Sequence, residues 1–161
     1  MALWQYTFQV LTKESFDSLN KNIISSTEEF VFDDELFWQY KPINRSLFAG
    51  LESILGRGKS WSNEIDLYGN EESNCFEILF DKQNNIVLSA SCRIDFTSDY
   101  ENVFQKIIEF CISNDLVILD ENLNIVPLNA STMKCIIENA PQRSKYNELK
   151  SKSSYNQSNI E

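Results

Sequence analysis

The chain has 161 residues, 42% of them apolar and 12% aromatic, and 24 acidic against 14 basic side chains give it a formal charge of −10. That length buries a core without disulfide or metal staples, and the apolar content is that of a folded protein. Duplex binding is disfavoured, because neutralising phosphates takes clustered Lys and Arg; the natural complement of such a charge is a basic partner.

There is no histidine, which removes the commonest general base and the commonest zinc ligand together. Cys75, Cys92, Cys111 and Cys135 stand far apart with no C-x-x-C pair. They read as reduced thiols, two of them on faces expected to be buried. No Lys or Arg precedes Lys13, and Gln5, Thr7 and Gln9 interrupt any leader-like apolar run. No segment approaches the ~18 apolar residues of a membrane span. The expectation is a cytoplasmic protein with no membrane or nucleic-acid partner and no cofactor.

Trp4, Tyr6, Phe8 and Val10 alternate with polar residues and predict a first strand. Thr12 is placed to cap a short helix carrying Phe16, Leu19, Ile23 and Ile24, before a loop over 25–29. From Glu28 to Glu35 there are five acids and no base, running into Phe37, Trp38 and Tyr40 before Pro42. Ser46 suits the cap of a helix with Leu47, Leu51, Ile54 and Leu55 on one face, ended by Gly56. Ile65 and Leu67 alternate with Glu64, Asp66 and Tyr68; after a turn, Phe76, Ile78 and Phe80 alternate with Glu77, Leu79 and Asp81.

The clearest stretch is 86–112. Ile86, Leu88, Ala90, Cys92, Ile94 and Phe96 are expected to face inward, leaving Val87, Ser89, Ser91, Arg93 and Asp95 outside. Face matching across the hairpin at Asn84-Asn85 favours a loop of three or five residues, with an Asn at positive φ. Ser98 and Glu101 have the spacing of a capping box. Behind them Tyr100, Val103, Phe104, Ile107, Ile108, Cys111 and Ile112 form a helical stripe. Leu116–Leu119 and Leu123–Val126 make a small hairpin, and Asn129 or Ser131 caps a helix with Met133, Ile136, Ile137 and Ala140. The fold expected is α+β, an antiparallel sheet of about four to six strands with helices mainly on one face. Residues 1–141 form one domain, and 142–161, rich in Ser, Asn, Gln and Lys, form a frayed tail.

Gly58-Lys59-Ser60 has the ending of a phosphate-binding loop, but Ser53 stands where the first glycine belongs, and a helix precedes it where a strand is needed. Asp33, Asp34 and Glu35 are possible hard-metal ligands, yet lack the alternation and glycine of a calcium loop; a solvated acidic turn or partner patch is the better reading. Ser89 and Ser91 have no base to activate them. The parity of the strands gathers Glu64, Asp66, Tyr68, Glu77, Ser89, Ser91, Arg93 and Asp95 on one outer face, with Arg93 near Cys75 or Glu77. Trp38, next to the acids, has the composition of a binding hot spot or belongs against the first strand.

Trp4-x-Tyr6, Ser60-Trp61, Tyr68-Gly69, Ser73-Asn74 and Arg93-Ile94-Asp95 before a helix resemble small acidic immunity proteins encoded beside bacterial polymorphic toxins. The resemblance implies a non-enzymatic inhibitor that binds a basic toxin domain, as a monomer or homodimer. The partner-binding residues expected are Asp33, Asp34, Glu35, Trp38, Glu64, Asp66, Tyr68, Glu77, Arg93 and Asp95. The alternatives are a small-ligand protein or an enzyme working through carboxylates and Tyr68, and a structural homodimer subunit.

Overall fold

The computed structural model describes residues 2–24 and 32–157, with the side chains of 21–24 and 154–157 left aside. The loop expected at 25–29, the front of the acidic run, and Ile23 and Ile24 of the first helical stripe lie outside the described residues or side chains. Six antiparallel strands form one sheet in the order β2-β3-β4-β1-β5-β6. The strands are β1 (Gln5–Thr12), β2 (Ile65–Gly69), β3 (Cys75–Asp81), β4 (Ile86–Asp95), β5 (Leu116–Leu119) and β6 (Ile125–Val126). The first strand of the chain therefore lies inside the sheet, between β4 and β5. The helices are α1 (Lys13–Ile24), α2 (Asp34–Tyr40), α3 (Glu52–Leu55), α4 (Glu101–Ser113), α5 (Ala130–Glu138) and α6 (Pro141–Gln157), with a 3-10 turn over Arg45–Leu51.

Residues directly opposite in an antiparallel ladder share a face. The pairs Phe8↔Cys92, Phe76↔Cys92 and Val10↔Ile118 thus define a first face, and all five side chains are fully buried. Phe104 of α4 stacks on Phe8 at 5.6 Å between centroids, and Phe48 of the 3-10 turn packs on Phe76 at 5.6 Å. Of the α4 stripe, Tyr100, Phe104, Ile107, Ile108 and Cys111 are buried, Val103 is half-buried and Ile112 stays exposed. The second face is polar only over β1, β3 and β4. Toward β5 it buries Leu11, Val117 and Leu119, and α1 lies against β1 and β5 there.

Two local devices differ from the sequence reading. The register shifts between Leu79 and Phe80: Leu79 pairs with Ser89, but Phe80 pairs with Val87, so Leu88 is an extra residue on β4. This bulge swaps the faces below it. Val87 is fully buried, and the expected inward residues Ile86 and Leu88 are only half-buried. The same extra residue lets Asp81 pair with Ile86 across a four-residue loop, with Asn85 at φ 55°; face matching had assumed an unbroken ladder. At the other end of β4, Ser98 does not cap α4, and Tyr100 occupies that position without a side-chain bond. The Ser98 hydroxyl instead donates to the Asp95 carbonyl at 2.8 Å.

Other caps follow the sequence. Thr12 Oγ1 accepts from Ser15 N–H and Asn129 Oδ1 from Thr132 N–H. Asn44, not Ser46, caps the 3-10 turn by accepting from Ser46 N–H at 2.9 Å. Gly56, at φ 76°, ends α3 in a conformation that L side chains rarely adopt. Where a frayed tail is expected, Pro141 opens α6, a position at which its missing N–H costs nothing. Tyr146 from that helix meets Phe96 edge-on at 5.8 Å.

Trp38 is fully buried against Phe48, edge-on at 6.0 Å, and its indole N–H has no partner. An orphaned buried donor costs ~1–3 kcal/mol, whereas deleting a large aromatic costs ~3–5 kcal/mol. Trp38→Phe is therefore expected within about 1 kcal/mol of the parent, and Trp38→Ala to lose at least about 3 kcal/mol. Urea unfolding followed by circular dichroism checks both.

Candidate functional site

The acidic face expected on the sheet is not assembled. Asp66 pairs with Ile78 and Tyr68 with Phe76, so both lie on the first face, opposite Glu77. Both are buried, at 5% and 2% exposure. Alternation read the polar residues of β2 as outward. This strand is at the sheet's edge, however, where the first face runs out of apolar cover and arginines replace it. Leu67, expected inward, takes the second face and is buried there.

Asp95 is also buried. Its Oδ1 accepts from Thr97 N–H and Oγ1–H at 2.9 and 2.6 Å, and its own N–H donates to Asn74 Oδ1 at 2.8 Å. It is a clasp between β4 and the 70–74 turn rather than a partner contact. Glu77 and Arg93 do form the expected ion pair, both half-buried on the second face. A pair of this kind contributes ~0–1 kcal/mol. Glu64 is exposed and lies 3.5 Å from Lys82. Trp38, a core residue, is not available to a partner.

Asp33, Asp34 and Glu35 open α2, and each has a different role. Asp33 is the N-cap, accepting from Glu35 N–H at 3.1 Å. Asp34 is half-buried and accepts from the Ser89 hydroxyl. Burial raises its carboxyl above the ordinary 3.8; the Ser89 bond opposes this and the Asp33 charge adds to it. Glu35 is exposed and accepts from Gln39 Nε2. On the outer side of the same helix Leu36 and Tyr40, four residues apart, are 50% and 52% exposed. Residues at that spacing are neighbours on one helix face. Asp33, Glu35, Leu36, Gln39 and Tyr40 thus make an exposed acidic and apolar surface. Reading Asp33, Asp34 and Glu35 as a solvated acidic turn hid it, although Asp33 with acids in the following turn is a helix-start signal.

The second constellation was not foreseen at all. Arg45, at the start of the 3-10 turn, and Arg57, just beyond α3, converge on the Asp66 carboxylate. Arg45 reaches both carboxylate oxygens, at 3.2 and 3.3 Å. Its guanidinium lies 3.9 Å over the Phe80 ring, and that of Arg57 lies 4.9 Å over Tyr68. Burial raises the Tyr68 phenol, partly offset by Arg57. Asn44, Ser46, Ala49 and Asn85 complete the lining of an open hollow of about 340 Å³. No spacing in the sequence links residues 45, 57 and 66; only the route of the 44–58 segment along β2 brings them together.

Gly58 belongs to that route. Its N–H donates to the Leu67 carbonyl at 2.9 Å, and a Cβ there would stand 2.8 Å from Leu67 Cδ2. Gly58-Lys59-Ser60 is the end of a clasp on the edge of β2, in keeping with its poor fit to a phosphate loop. Among the described residues no group of three or more Cys, Asp or Glu is placed to hold a metal, and no helix is long and apolar enough to cross a membrane. No family model, curated protein or solved structure matches the chain.

Burial pushes the Cys75 and Cys111 thiols up to about 11 and about 12, and raises Cys92 well above its ordinary value. Cys135 alone of the four is exposed. One thiol per folded chain is expected to react with iodoacetamide at pH 8, identified as Cys135 by mass spectrometry, and all four in denaturant. Asp34 yields a pH prediction. A carboxyl raised in the folded state binds its proton more readily there than when unfolded, so it lowers stability as pH climbs from about the ordinary 3.8 through its raised value. Asp34→Asn is expected to be the more stable protein at pH 7, with the advantage vanishing below that range, as measured by urea unfolding across pH.

Proposed function

We propose that this chain is a non-enzymatic protein-binding domain, an immunity-type inhibitor that neutralises a basic toxin domain in the cytoplasm. The observation that carries it is the outer face of α2, where Leu36 and Tyr40 are half-exposed beside Asp33 and Glu35. Interface hot spots favour a large aromatic ringed by polar groups. Charge around such an anchor acts mainly on the association rate, and a chain of formal charge −10 steers toward a basic surface. The other expected contacts are less suited to the role. Asp66 and Asp95 are buried and already bonded within the chain, and Trp38 is in the core.

The test is calorimetry and stopped-flow binding against the product of the adjacent toxin gene. Leu36→Ala with Tyr40→Ala is expected to weaken the complex about thirtyfold or more. Asp33→Asn with Glu35→Gln preserves a good N-cap while removing two charges, and is expected to slow association at low salt with little change in dissociation. Unchanged affinity in the first pair removes α2 as the surface. Failure of the native chain to bind that product, or to protect cells from it, overturns the inhibitor reading itself.

A further inference from the structure

We propose that the hollow between the 3-10 turn and the edge of β2 binds a small phosphomonoester. This site is separate from the α2 surface and independent of the inhibitor reading. The starting point is a surplus of charge. Among the described residues Asp66 is the one carboxylate shared by two cations, and Lys134 shows the reverse, one cation between two acids. One guanidinium neutralises Asp66. The second guanidinium is in excess of that carboxylate, and the other acid felt at the hollow is Glu52, whose charge acts on the Tyr68 phenol.

The two cations are also fixed in place. Asp66, 7% exposed in its side chain, holds both, and the rings of Phe80 and Tyr68 back one guanidinium each. Ordering long side chains is a large part of the cost of binding an anion, and here it is met before the ligand arrives. Each guanidinium carries five N–H donors. Arg45 uses Nη1 toward Asp66, and Arg57 uses Nη2 toward Asp66 and also bonds Tyr68, so donors remain on both. Ser46 and Asn85 line the same hollow, and among the described residues neither side chain has a hydrogen-bond partner.

Two guanidiniums, a hydroxyl and an amide surround one space, whereas a planar carboxylate directs its lone pairs within a single plane. A tetrahedral dianion with three terminal oxygens accepts from all four at once. At about 340 Å³ the hollow has the volume of roughly ten waters, enough for phosphate with a small organic group attached. Its open mouth suits a ligand that exchanges freely.

The test is a titration of the full chain with inorganic phosphate and with glycerol phosphate, against chloride at matched ionic strength, followed by amide NMR. The expected result is saturable binding of one ligand per chain, with shifts centred on residues 44–46, 57, 66–68 and 85, and glycerol phosphate no weaker than phosphate. Arg45→Gln and Arg57→Gln each leave one arginine on Asp66 and are expected to lower affinity about tenfold; Arg57→Lys recovers part of it. Melting curves verify that the variants fold. Shifts that do not saturate, or that persist undiminished in both glutamine variants, mean an adventitious ion only and overturn the proposal.

Discussion

The pairing of β2 with β3 decides which carboxylates this protein has to offer. With Asp66 opposite Ile78 and Tyr68 opposite Phe76, two polar residues turn toward the first face, and an ionised carboxylate there needs compensation. Arg45 and Arg57 supply it from the two ends of the segment that carries the 3-10 turn and α3. The consequence reaches beyond β2. That segment is held along the sheet edge by the same contacts, and Phe48 within it packs on Phe76 and Trp38. An edge strand whose N–H and C=O groups would otherwise invite another chain is covered by residues 56–58.

The bulge at Leu88 is the second constraint. It turns Val87 into the core and lets β3 and β4 close over a four-residue loop. Ser89, just above it and opposite Leu79, keeps the second face, where its hydroxyl donates to Asp34 at the head of α2. The head of α2, whose outer side displays Leu36 and Tyr40, is thus bonded to the strand beside that bulge. Structure and proposed function meet at this point: the sheet holds the helix, and the helix presents the surface.

Much of this was legible in the sequence, for physical reasons that also explain the rest. Tyr6, Phe8 and Val10, the β3 phenylalanines and the α4 stripe were readable because alternation and helical spacing report burial directly when one face is apolar. The burial of Cys92 and Cys111 was readable for the same reason. The Arg93–Glu77 pair followed from strand parity above the bulge. Parity failed at Val87, because no residue type marks a bulge. It failed again at Asp66, because a carboxylate satisfied by two distant arginines looks the same in a sequence as one facing water. Trp38 is buried and Tyr40 exposed for a simpler reason. Once 34–40 is a helix, residues two apart point in different directions, and the larger aromatic went to the core.

The most direct measurement is a nuclear Overhauser spectrum of the isotope-labelled protein, read across β2 and β3. The account predicts contacts from the Tyr68 ring to Phe76 and to the Arg57 side chain, and from Asp66 to Arg45. Leu67 methyls packed on Phe76 or Ile78, with Tyr68 turned toward Glu77, would contradict it: the strand would then be flipped, the arginine pair would lose its anchor, and an acidic sheet face would return as the available surface.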